Sequence, residues 1–442
     1  MALVAVKNAP RNAAGRPEGA LPLGRALAAG TLAAVALTGC LGPAGSARVA
    51  SADASGDGTL RIGLILDNTG RQNFLNAPQL AAAKLAVKEI NAAGGHKGKP
   101  VELLPETIST DTAAQAKALV AAKADVVIGP TDSSRAPAAI DVLANAKVAV
   151  ISPANSASAL SNYKSGGYYF RTSAADVAQA SVLAKLAKDG GAKTLAVVHE
   201  DGAYGKDVAA AVAGAAKQSG LEVVADAEFT AGQAQQAAAT AKAANPDAVV
   251  LVSRDGAQGA IAELNNAGLA GKKLVLSDAA VSRYGSGLGA RALDGARGVL
   301  PGVFPSAAFQ KDLVAVDPGL KDMVFAAETY DAVILAAVAA AAAEDDAGTS
   351  IAASLVAVSG GAAAAGGNAA GGGQPASEPC TSYKGCVDVL RAGKRPDYDG
   401  QSGRINFDSH GDITEANHRV YTYGEDNLPT MSGMETASSS GG

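Results

Sequence analysis

The stretch KVAVISPANS (residues 147–156) contains the unit that decides the fold. Its first half, residues 148–151, is a short apolar run with the length and composition of a buried β-strand. Its second half is a loop of small residues with free backbone N–H groups, in which Pro153 disfavours helical backbone at Ser152. The strand therefore ends in an open polar loop rather than turning directly into a helix, and such a loop is suited to hold a ligand.

The same strand–loop–helix unit recurs along most of the chain. Apolar runs begin at LRIGLIL (residues 60–66), and alanine-rich helical runs such as residues 79–93 separate them. Alternation of this kind predicts parallel sheets covered by helices on both faces. A second series begins after Arg171, so we predict an α/β fold with two Rossmann-like lobes joined by a hinge. Further predicted strands are VELLPE, DVVIG, VAVIS, TLAVVHE, LEVVADAEF, DAVVLV, KLVLSD and RGVLPGVF.

Composition narrows the classes of function. The chain has 442 residues, enough for two domains or lobes, and 48% of them are hydrophobic, with no tryptophan and a net charge of −5. The first 39 residues carry four basic residues and one acidic residue, so the remainder is more acidic than the whole chain. An acidic protein without a basic cluster is a poor nucleic-acid binder.

The N-terminus resembles an export signal. Basic residues precede an apolar run over residues 26–37, which is too short to span a bilayer and ends in LTGC (residues 37–40). This tetrapeptide resembles the lipobox of bacterial lipoproteins, which implies that Cys40 is acylated and becomes the first mature residue. The alternative is an ordinary signal peptide with an unrelated cysteine. The small and polar residues that follow predict a flexible tether to the membrane.

Two other features have a structural and a functional interpretation. Cys380 and Cys386 form a close pair, which in an exported protein favours a disulfide over a metal site. Only His410 and His418 lie near enough in sequence to add metal ligands, so we expect no metal and no cofactor. The apolar run at residues 323–344 is long enough to cross a membrane, but its acidic residues favour a buried core helix.

Polar loops follow the predicted strands of both series. In open α/β sheets, ligands bind beyond the carboxyl ends of the strands, and helix N-termini there favour an anionic group. Several such loops facing one crevice predict a cleft for a small polar ligand. The loops are DNTGRQNFL, PTDSS and SPANS in the first lobe, and EDGAYG, SRDG and DAAVSRYG in the second.

Eight segments together resemble the leucine/isoleucine/valine-binding protein family of solute receptors, which has the type I periplasmic-binding fold. The resemblance covers residues 59–423, and its last segment is similar to that of actinobacterial members. The joint order of the segments is more specific than any one of them. They are IGLILDNTG, AVKEINAAGG, VVIGPTDSS, ISPANSASAL, YYFRTS, DGAYG, YDAVILAAVA and CTSYKGCVDVLRAGKRPDYDGQSGRINFD.

The resemblance implies a binding site for an amino acid. Hydroxyl and backbone N–H groups of the first lobe would donate to its carboxylate, and an acid of the second lobe would accept from its ammonium group. By position, the acid is Asp278 and Tyr204 covers the ligand. The first-lobe donors are Ser133 and the consecutive residues Ala154, Asn155 and Ser156. Ser156 has the alternative role of capping a short helix.

Two positions depart from the family pattern. Arg254 stands where relatives have an aromatic residue or glycine, and it would pair with Asp278 or Asp255, contact an anionic ligand, or lie on the surface. Phe74 fills the side-chain pocket only loosely, so the ligand's side chain stays open.

The resemblance also implies a division of the chain and a role. The expected receptor is an extracytoplasmic, lipid-anchored monomer that passes an amino acid of branched-chain type, or a small amide such as urea, to an ABC permease. A module that signals to a membrane receptor, and a fold that has lost its ligand, are the alternatives. No Walker A segment or nucleophile elbow occurs, so no enzyme is expected. The expected segments are a leader (1–39), a tether (40–58), lobe 1 (59–176 and 302–400), lobe 2 (177–301 and 401–424) and a disordered tail (425–442).

Overall fold

The computed structural model describes residues 55–361 and 377–438. The expected leader, most of the expected tether and Cys40 lie outside the described residues. The same holds for residues 362–376 and 439–442.

Five parallel strands form the sheet of the first lobe, in the order β2-β1-β3-β4-β5. β3 and β4 are buried along their whole length, which explains why their sequences are continuously apolar rather than alternating. The elements of this part are β1 (Arg61–Leu64), α1 (Asn76–Ala92), β2 (Glu102–Leu103), α2 (Thr112–Ala121), β3 (Val126–Ile128), α3 (Ala136–Asn145), β4 (Ala149–Ser152) and β5 (Tyr169–Arg171).

The second lobe begins with α4 and contributes five parallel strands to a second sheet. Its helices again separate the strands in sequence, as the repeated unit predicts. The elements are α4 (Gln179–Asp189), β6 (Thr194–Glu200), α5 (Ala203–Gln218), β7 (Glu222–Phe229), α6 (Gln235–Ala244), β8 (Ala248–Val252), α7 (Ala257–Asn266), β9 (Leu274–Leu276) and β10 (Arg297–Pro301).

The chain then returns to the first lobe. α9 has the length and composition of a membrane span, with a mean hydropathy of 1.4, but 78% of it is buried inside the fold, where it packs against α1 and α10. In this structure it is therefore the central helix of the first lobe's core. The elements are α8 (Ala307–Val316), α9 (Ala326–Ala343), α10 (Gly348–Val358), β11 (Ser377–Cys380), α11 (Tyr383–Arg391) and β12 (Arg395–Tyr398).

The last crossing to the second lobe lies later in the chain than residue 401. Phe407 packs on Phe170 with ring centroids 5.3 Å apart, and Ile405 and Ile413 join the same first-lobe core. Residues 401–413 therefore belong with the first lobe. Only β13 (Glu415–Tyr423) joins the second sheet, antiparallel to β10.

The expectation of a disordered tail is wrong for residues 429–438. They form β14 (Pro429–Ser438), which pairs antiparallel with β13 and completes the sheet order β14-β13-β10-β9-β8-β6-β7. Most of its side chains are exposed because it is an edge strand, so its composition resembles that of a loop. Its order comes from backbone hydrogen bonds to β13, which composition does not reveal.

The close cysteine pair lies at the edge of the first lobe. The Sγ atoms of Cys380 and Cys386 are 2.01 Å apart, so a disulfide joins the end of β11 to α11. Over residues 55–361 and 377–438, no group of three or more His, Cys, Asp or Glu side chains is arranged to hold a metal ion.

Candidate ligand-binding cleft

Two adjoining cavities lie between the lobes at the strand ends where the polar loops were expected to meet. The first, of about 620 Å³, is lined by Ser133, Tyr204 and Arg254. The second, of about 450 Å³, is lined by Asp278. Three residues line both cavities and mark their junction: Ala154, Ser156 and Phe325. The structure thus brings six of the eight predicted residues to one continuous cleft.

The SPANS loop is fixed by hydrogen bonds from its own strand end. The Ser152 hydroxyl accepts from the N–H groups of Ala154 (3.3 Å) and Asn155 (3.0 Å) and donates to the carbonyl of Pro130 (2.7 Å). The expectation that the amides of this loop point at a ligand is therefore wrong for Ala154 and Asn155, and the N–H of Ser156 likewise donates within the lobe, to the Ser133 hydroxyl. The Ser152 hydroxyl at the strand end accepts from both N–H groups, so these groups are not free to bind a ligand.

A buried arginine supports the same loop from behind. Arg171 is fully buried, donates to the carbonyls of Asn155 (3.3 Å) and Ala157 (3.0 Å), and forms a two-point ion pair with Asp412 at 2.7 and 2.8 Å. The ion pair and hydrogen bonds compensate the cost of burying the charge. Arg171 thus sets the position of the loop without entering the cleft.

Ser133 has a hydroxyl proton to offer a ligand. Its oxygen accepts from the N–H groups of Ser156 (3.1 Å) and Ala157 (3.3 Å), which uses both of its lone pairs. Among the described residues no acceptor takes its proton. Ser133 can therefore donate to an anionic oxygen in the cleft, and Ser156 lies beside it. Ser156 does not cap the following 3₁₀ segment, which is preceded by Ala157 and has no side-chain cap.

Asp278 is held in place through one of its two oxygens. Its Oδ1 accepts from the Tyr204 hydroxyl and from Nε2 of Gln179 (2.8 Å), while its own N–H donates to Oε1 of Gln179 (2.9 Å). Oδ2 has no hydrogen-bond partner in the described part of the chain and remains available to a cation. Burial and the neighbouring carboxylate hold the pKa of Tyr204 well above its usual value, so its hydroxyl stays a donor.

Sequence reasoning missed a second acid, Asp176. It is 7% exposed, lines the larger cavity, and lies where the chain passes from β5 to α4. Burial and the nearby Asp278 carboxylate raise its pKa to about 6, against the opposing effects of Ser156 and Arg254. The only sequence signal for this role was the position of Asp176, five residues after Arg171, where the chain crosses between the lobes. Two carboxylates at one point favour a bound cation.

Arg254 pairs with neither of the acids proposed for it. Its guanidinium lies over the ring of Tyr204, 4.5 Å from the centroid, and its side chain is exposed at the cleft rim. Its own N–H donates to Glu200 (2.7 Å). Arg254 therefore forms the outer wall of the site, with Tyr204 between it and Asp278.

Two predicted residues do not line either cavity. The side chain of Asn155 is fully buried, donates to the carbonyl of Thr131 (3.0 Å) and accepts from the hydroxyl of Tyr169 (3.1 Å). Its hydrogen bonds are used within the first lobe, so it supports the loop. Phe74 is 52% exposed and points away, although Leu75 beside it lines the larger cavity.

Phe325 was also missed. It precedes α9 with φ +61°, a left-handed backbone that is rare for a bulky residue. Such strain is found where the surrounding structure needs a side chain in one place. Here it puts the ring at the junction of the two cavities.

The helix N-termini at the cleft do not all attract anions. Glu200 accepts from the Ser253 hydroxyl and from three consecutive N–H groups at the start of α7, between 2.7 and 3.1 Å. Asp67 likewise accepts from the N–H groups of Thr131 and Asp132. These carboxylates already occupy the anion sites that the loops were expected to offer.

Comparison with known proteins identifies the family. The sequence profile of the periplasmic binding protein family matches residues 59–377, well over half of the chain. The chain belongs to the periplasmic binding protein family.

A curated relative of this periplasmic binding protein is the leucine-, isoleucine-, valine-, threonine- and alanine-binding protein of Pseudomonas aeruginosa. The two are 31% identical over 175 residues, which is 37% of this chain and 45% of the relative. The match thus spans less than half the length of that relative.

Solved structures share the two-lobed fold of this periplasmic binding protein. A putative branched-chain amino acid ABC transporter protein from Rhodospirillum rubrum has a TM-score of 0.61 at 21% identity, over 84% of this chain and all of the other. A substrate-binding protein from Streptococcus pneumoniae, in complex with isoleucine, has a TM-score of 0.56 at 22% identity, over 86% and 99%. A solute-binding protein from Rhodopseudomonas palustris, in complex with 4-hydroxybenzoate, has a TM-score of 0.59 at 16% identity, over 86% and 98%.

The cleft of this periplasmic binding protein is built for binding. Its first-lobe side offers a hydroxyl proton from Ser133, and its second-lobe side offers Oδ2 of Asp278, with Asp176 near that carboxylate. A ligand with an anionic and a cationic group would contact both lobes at once. Such a ligand would hold the lobes together.

Proposed function

We propose that this protein is an extracytoplasmic, lipid-anchored receptor that captures an α-amino acid and delivers it to an ABC permease. The observation that carries the proposal is the arrangement of donors and acceptors on opposite sides of one cleft. The Ser133 hydroxyl would bind the carboxylate, and Asp278 with Asp176 would bind the ammonium group, while Ser156 holds Ser133 and Asp176 in place.

The family and the names of similar proteins support this role. The curated relative is named for binding branched-chain and small amino acids, and several structural neighbours are named as ABC transporter proteins. The proposed ligand is therefore an amino acid of branched-chain type or a relative of it. A urea or short-amide ligand would not use the acidic pair.

The anchor and the cysteines complete the proposal. Cys40 carries the lipid after removal of residues 1–39, and the Cys380–Cys386 disulfide forms after export, as expected in an oxidising compartment. The receptor would act as a monomer that holds one small molecule. The reaction that drives transport would take place in the partner ATPase rather than in this chain.

A thermal-shift screen of the chain from Leu41 tests the proposal. The panel contains α-amino acids, short amides and urea. A ligand at about 100 times its Kd raises the free energy of unfolding by about 2.7 kcal/mol, which is visible as a raised midpoint. Stabilisation by α-amino acids alone supports the proposed contacts. Stabilisation by urea or amides alone would keep a receptor but remove the role of the acidic pair.

Replacing Asp278 tests the ammonium site directly. We expect Asp278→Asn to weaken leucine binding by about a hundredfold, because a charged hydrogen bond across the cleft is lost. The matched control is Asp255→Asn, since Asp255 is an exposed acid of the same lobe. Isothermal titration measures both variants. Equal affinity of the Asp278 variant and the wild type would remove this residue from the site.

A further inference from the structure

The smaller cavity extends well beyond the groups that would hold an amino acid's carboxylate and ammonium. We call this 450 Å³ space the distal chamber. It runs from Asp278 and Ser156 past Phe325, with apolar walls that include Leu300, Val303 and Met323. Its volume lies in the range of pockets that hold whole small ligands. An aliphatic side chain the size of leucine's would leave much of the chamber empty.

Most polar side chains of the distal chamber already have partners. The pairs show which of these side chains already make a hydrogen bond or ion pair within the protein. They are Arg404 with Glu415 (3.0 Å), Asn417 with Thr436 (2.9 Å), Ser402 with Asp331 (2.5 Å), Asp322 with the N–H of Val324 (2.9 Å), Thr172 with the carbonyl of Glu328 (2.9 Å) and Ser173 with the carbonyl of Asn155 (2.7 Å).

Two charged groups of the chamber, one from each lobe, have hydrogen-bonding capacity left for the end of a ligand side chain. Arg419 on β13 donates to the carbonyl of Pro301 (3.1 Å), but its Nε is buried without a hydrogen-bond partner. The Glu328 carboxyl on α9 accepts from its own backbone N–H, and within the described residues it makes no hydrogen bond to another residue. It lies close to the hinge, since a Cβ added to Gly302 would be 2.9 Å from its Oε1. An unpaired buried donor costs free energy, so Arg419 favours a ligand that offers an acceptor, and the Glu328 carboxyl can accept from a donor on the same ligand.

The chemistry of these two groups selects one kind of partner. Arg419 can only donate, so it requires an acceptor, and the ionised Glu328 carboxyl requires a donor rather than an anion. A side-chain carboxylate would be repelled by Glu328, a side-chain ammonium by Arg419, and a hydrocarbon would leave both unpaired. A carboxamide or ureido group offers a carbonyl oxygen to Arg419 and an N–H group to Glu328.

The titration of Glu328 is compatible with a neutral group of this kind. Burial raises the pKa of Glu328 to about 7, with Asp331 adding to the effect and Arg419 opposing it. The carboxyl therefore takes up a proton at a higher pH than an ordinary glutamate does. An amide or ureido group has both a donor and an acceptor, so it can pair with either protonation state.

We propose that the ligand is an α-amino acid whose side chain ends in a carboxamide or ureido group, held in the distal chamber between Glu328 and Arg419. This inference rests on the proposed function, because the α-carboxylate and ammonium groups must bind at Ser133 and Asp278. It adds a distal contact that joins α9 of the first lobe to β13 of the second.

Isothermal titration of the mature chain with five amino acids tests the inference. The ligands are citrulline, glutamine, methionine, glutamate and ornithine, which vary the end of the side chain. We expect citrulline or glutamine to bind at least about tenfold more tightly than methionine, with glutamate and ornithine weaker than methionine. Methionine is the uncharged reference because it fills space without a comparable hydrogen-bonding group.

Two variants localise the preference. Glu328→Met and Arg419→Met should each reduce the ratio of amide to methionine affinity towards one, without weakening methionine binding. The control variant is Glu222→Gln, an exposed acid of the second lobe, which should keep the wild-type ratio. A thermal midpoint for each variant shows that it is folded.

The outcomes separate this inference from the proposed function. Methionine or leucine binding as tightly as citrulline and glutamine would overturn the distal contact and leave the amino-acid receptor in place. An amide preference that survives in both variants would also overturn it. If no amino acid binds the folded wild-type protein, the proposed function fails and the inference fails with it.

Discussion

Asp176 and Asp278 show how individual residues give the cleft its preference for a cation. Asp278 is held by Tyr204 and Gln179, so only one of its oxygens is left for a ligand. Asp176 lies nearby in a buried position, and its pKa of about 6 reflects burial first and the second carboxylate next. A ligand ammonium group would relieve the repulsion between the two acids. Below about pH 6 the ligand-free site would therefore hold a proton that a bound ammonium group would displace.

Ligand binding should release this proton near pH 6. A bound ammonium group lowers the pKa of Asp176, so the affinity for leucine should fall as the pH drops below about 6. Isothermal titration at pH 6 in two buffers with different ionisation enthalpies measures the proton released. Asp176→Asn should abolish the release. Identical binding enthalpies in both buffers for the wild type would contradict the prediction.

Asp176 should also affect the stability of the ligand-free protein. Ligand affinity should rise with pH, whereas the contribution of Asp176 to the free energy of unfolding should fall. The folded pKa of Asp176 lies above its unfolded value, so the folded state binds more protons. Its contribution to the free energy of unfolding should decrease as the pH rises from about 4 to about 6, and then stay constant. Asp125 and Glu328 also have raised pKa values, so the wild type is compared with Asp176→Asn. The thermal midpoint of the variant should fall less steeply over this range.

At the scale of the element, β14 shows that a segment with a polar sequence can complete the edge of a sheet. It pairs with β13 from Pro429 to Ser438, and the turn before it contains Asn427, which is 2% exposed. Asn427 donates to the carbonyls of Gly285 (3.1 Å) and Gly289 (3.0 Å) and accepts from the N–H of Leu293 (2.9 Å). The segment therefore fixes both the sheet edge and a loop of the second lobe.

Truncation after Gly424 should destabilise the protein. The change exposes the edge of β13 and removes the buried hydrogen bonds of Asn427, so we expect a loss of at least about 3 kcal/mol in the free energy of unfolding. Urea denaturation followed by circular dichroism measures it. A chain that ends at Ser438 is the control and should be as stable as the full chain. Equal stability of the two truncated chains would mean that β14 contributes nothing.

At the scale of the whole molecule, the lobes are joined by three crossings within residues 55–361 and 377–438. The proposed ligand contacts come from both lobes: Ser133 and Glu328 from the first, and Asp278 and Arg419 from the second. Closure would bring these groups together on one molecule. The start of the described chain is fixed on the first lobe, where the N–H of Gly56 donates to Asp345 (2.7 Å).

The lipid anchor can be tested on the whole protein. Cys40→Ala should move most of the protein from the membrane fraction to the soluble fraction, because no acyl chain can be attached. Ser46→Ala in the tether is the control and should remain with the membrane. Fractionation followed by immunoblotting measures both. Retention of the Cys40 variant in the membrane would contradict the anchor.

Sequence alone predicted the architecture and part of the candidate site. Strands buried on both faces must be continuously apolar, so both parallel sheets could be predicted from short apolar runs. The polar loops predicted a cleft because the carboxyl ends of parallel strands meet at one edge, and Ser133, Ser156 and Asp278, which the family resemblance implied, line its cavities. The order of the segments also predicted the family.

Only the tertiary structure decided how distant residues use their hydrogen bonds. Asp176 and Gln179 gain a role through Asp278, about a hundred residues away, and Glu328 and Arg419 become a pair only because α9 and β13 border one chamber. Asn155 was assigned to the ligand because its neighbours are in the cleft, but its side chain is used within the lobe. Local sequence fixes where a strand ends, whereas the fold fixes which polar atoms are left without a partner.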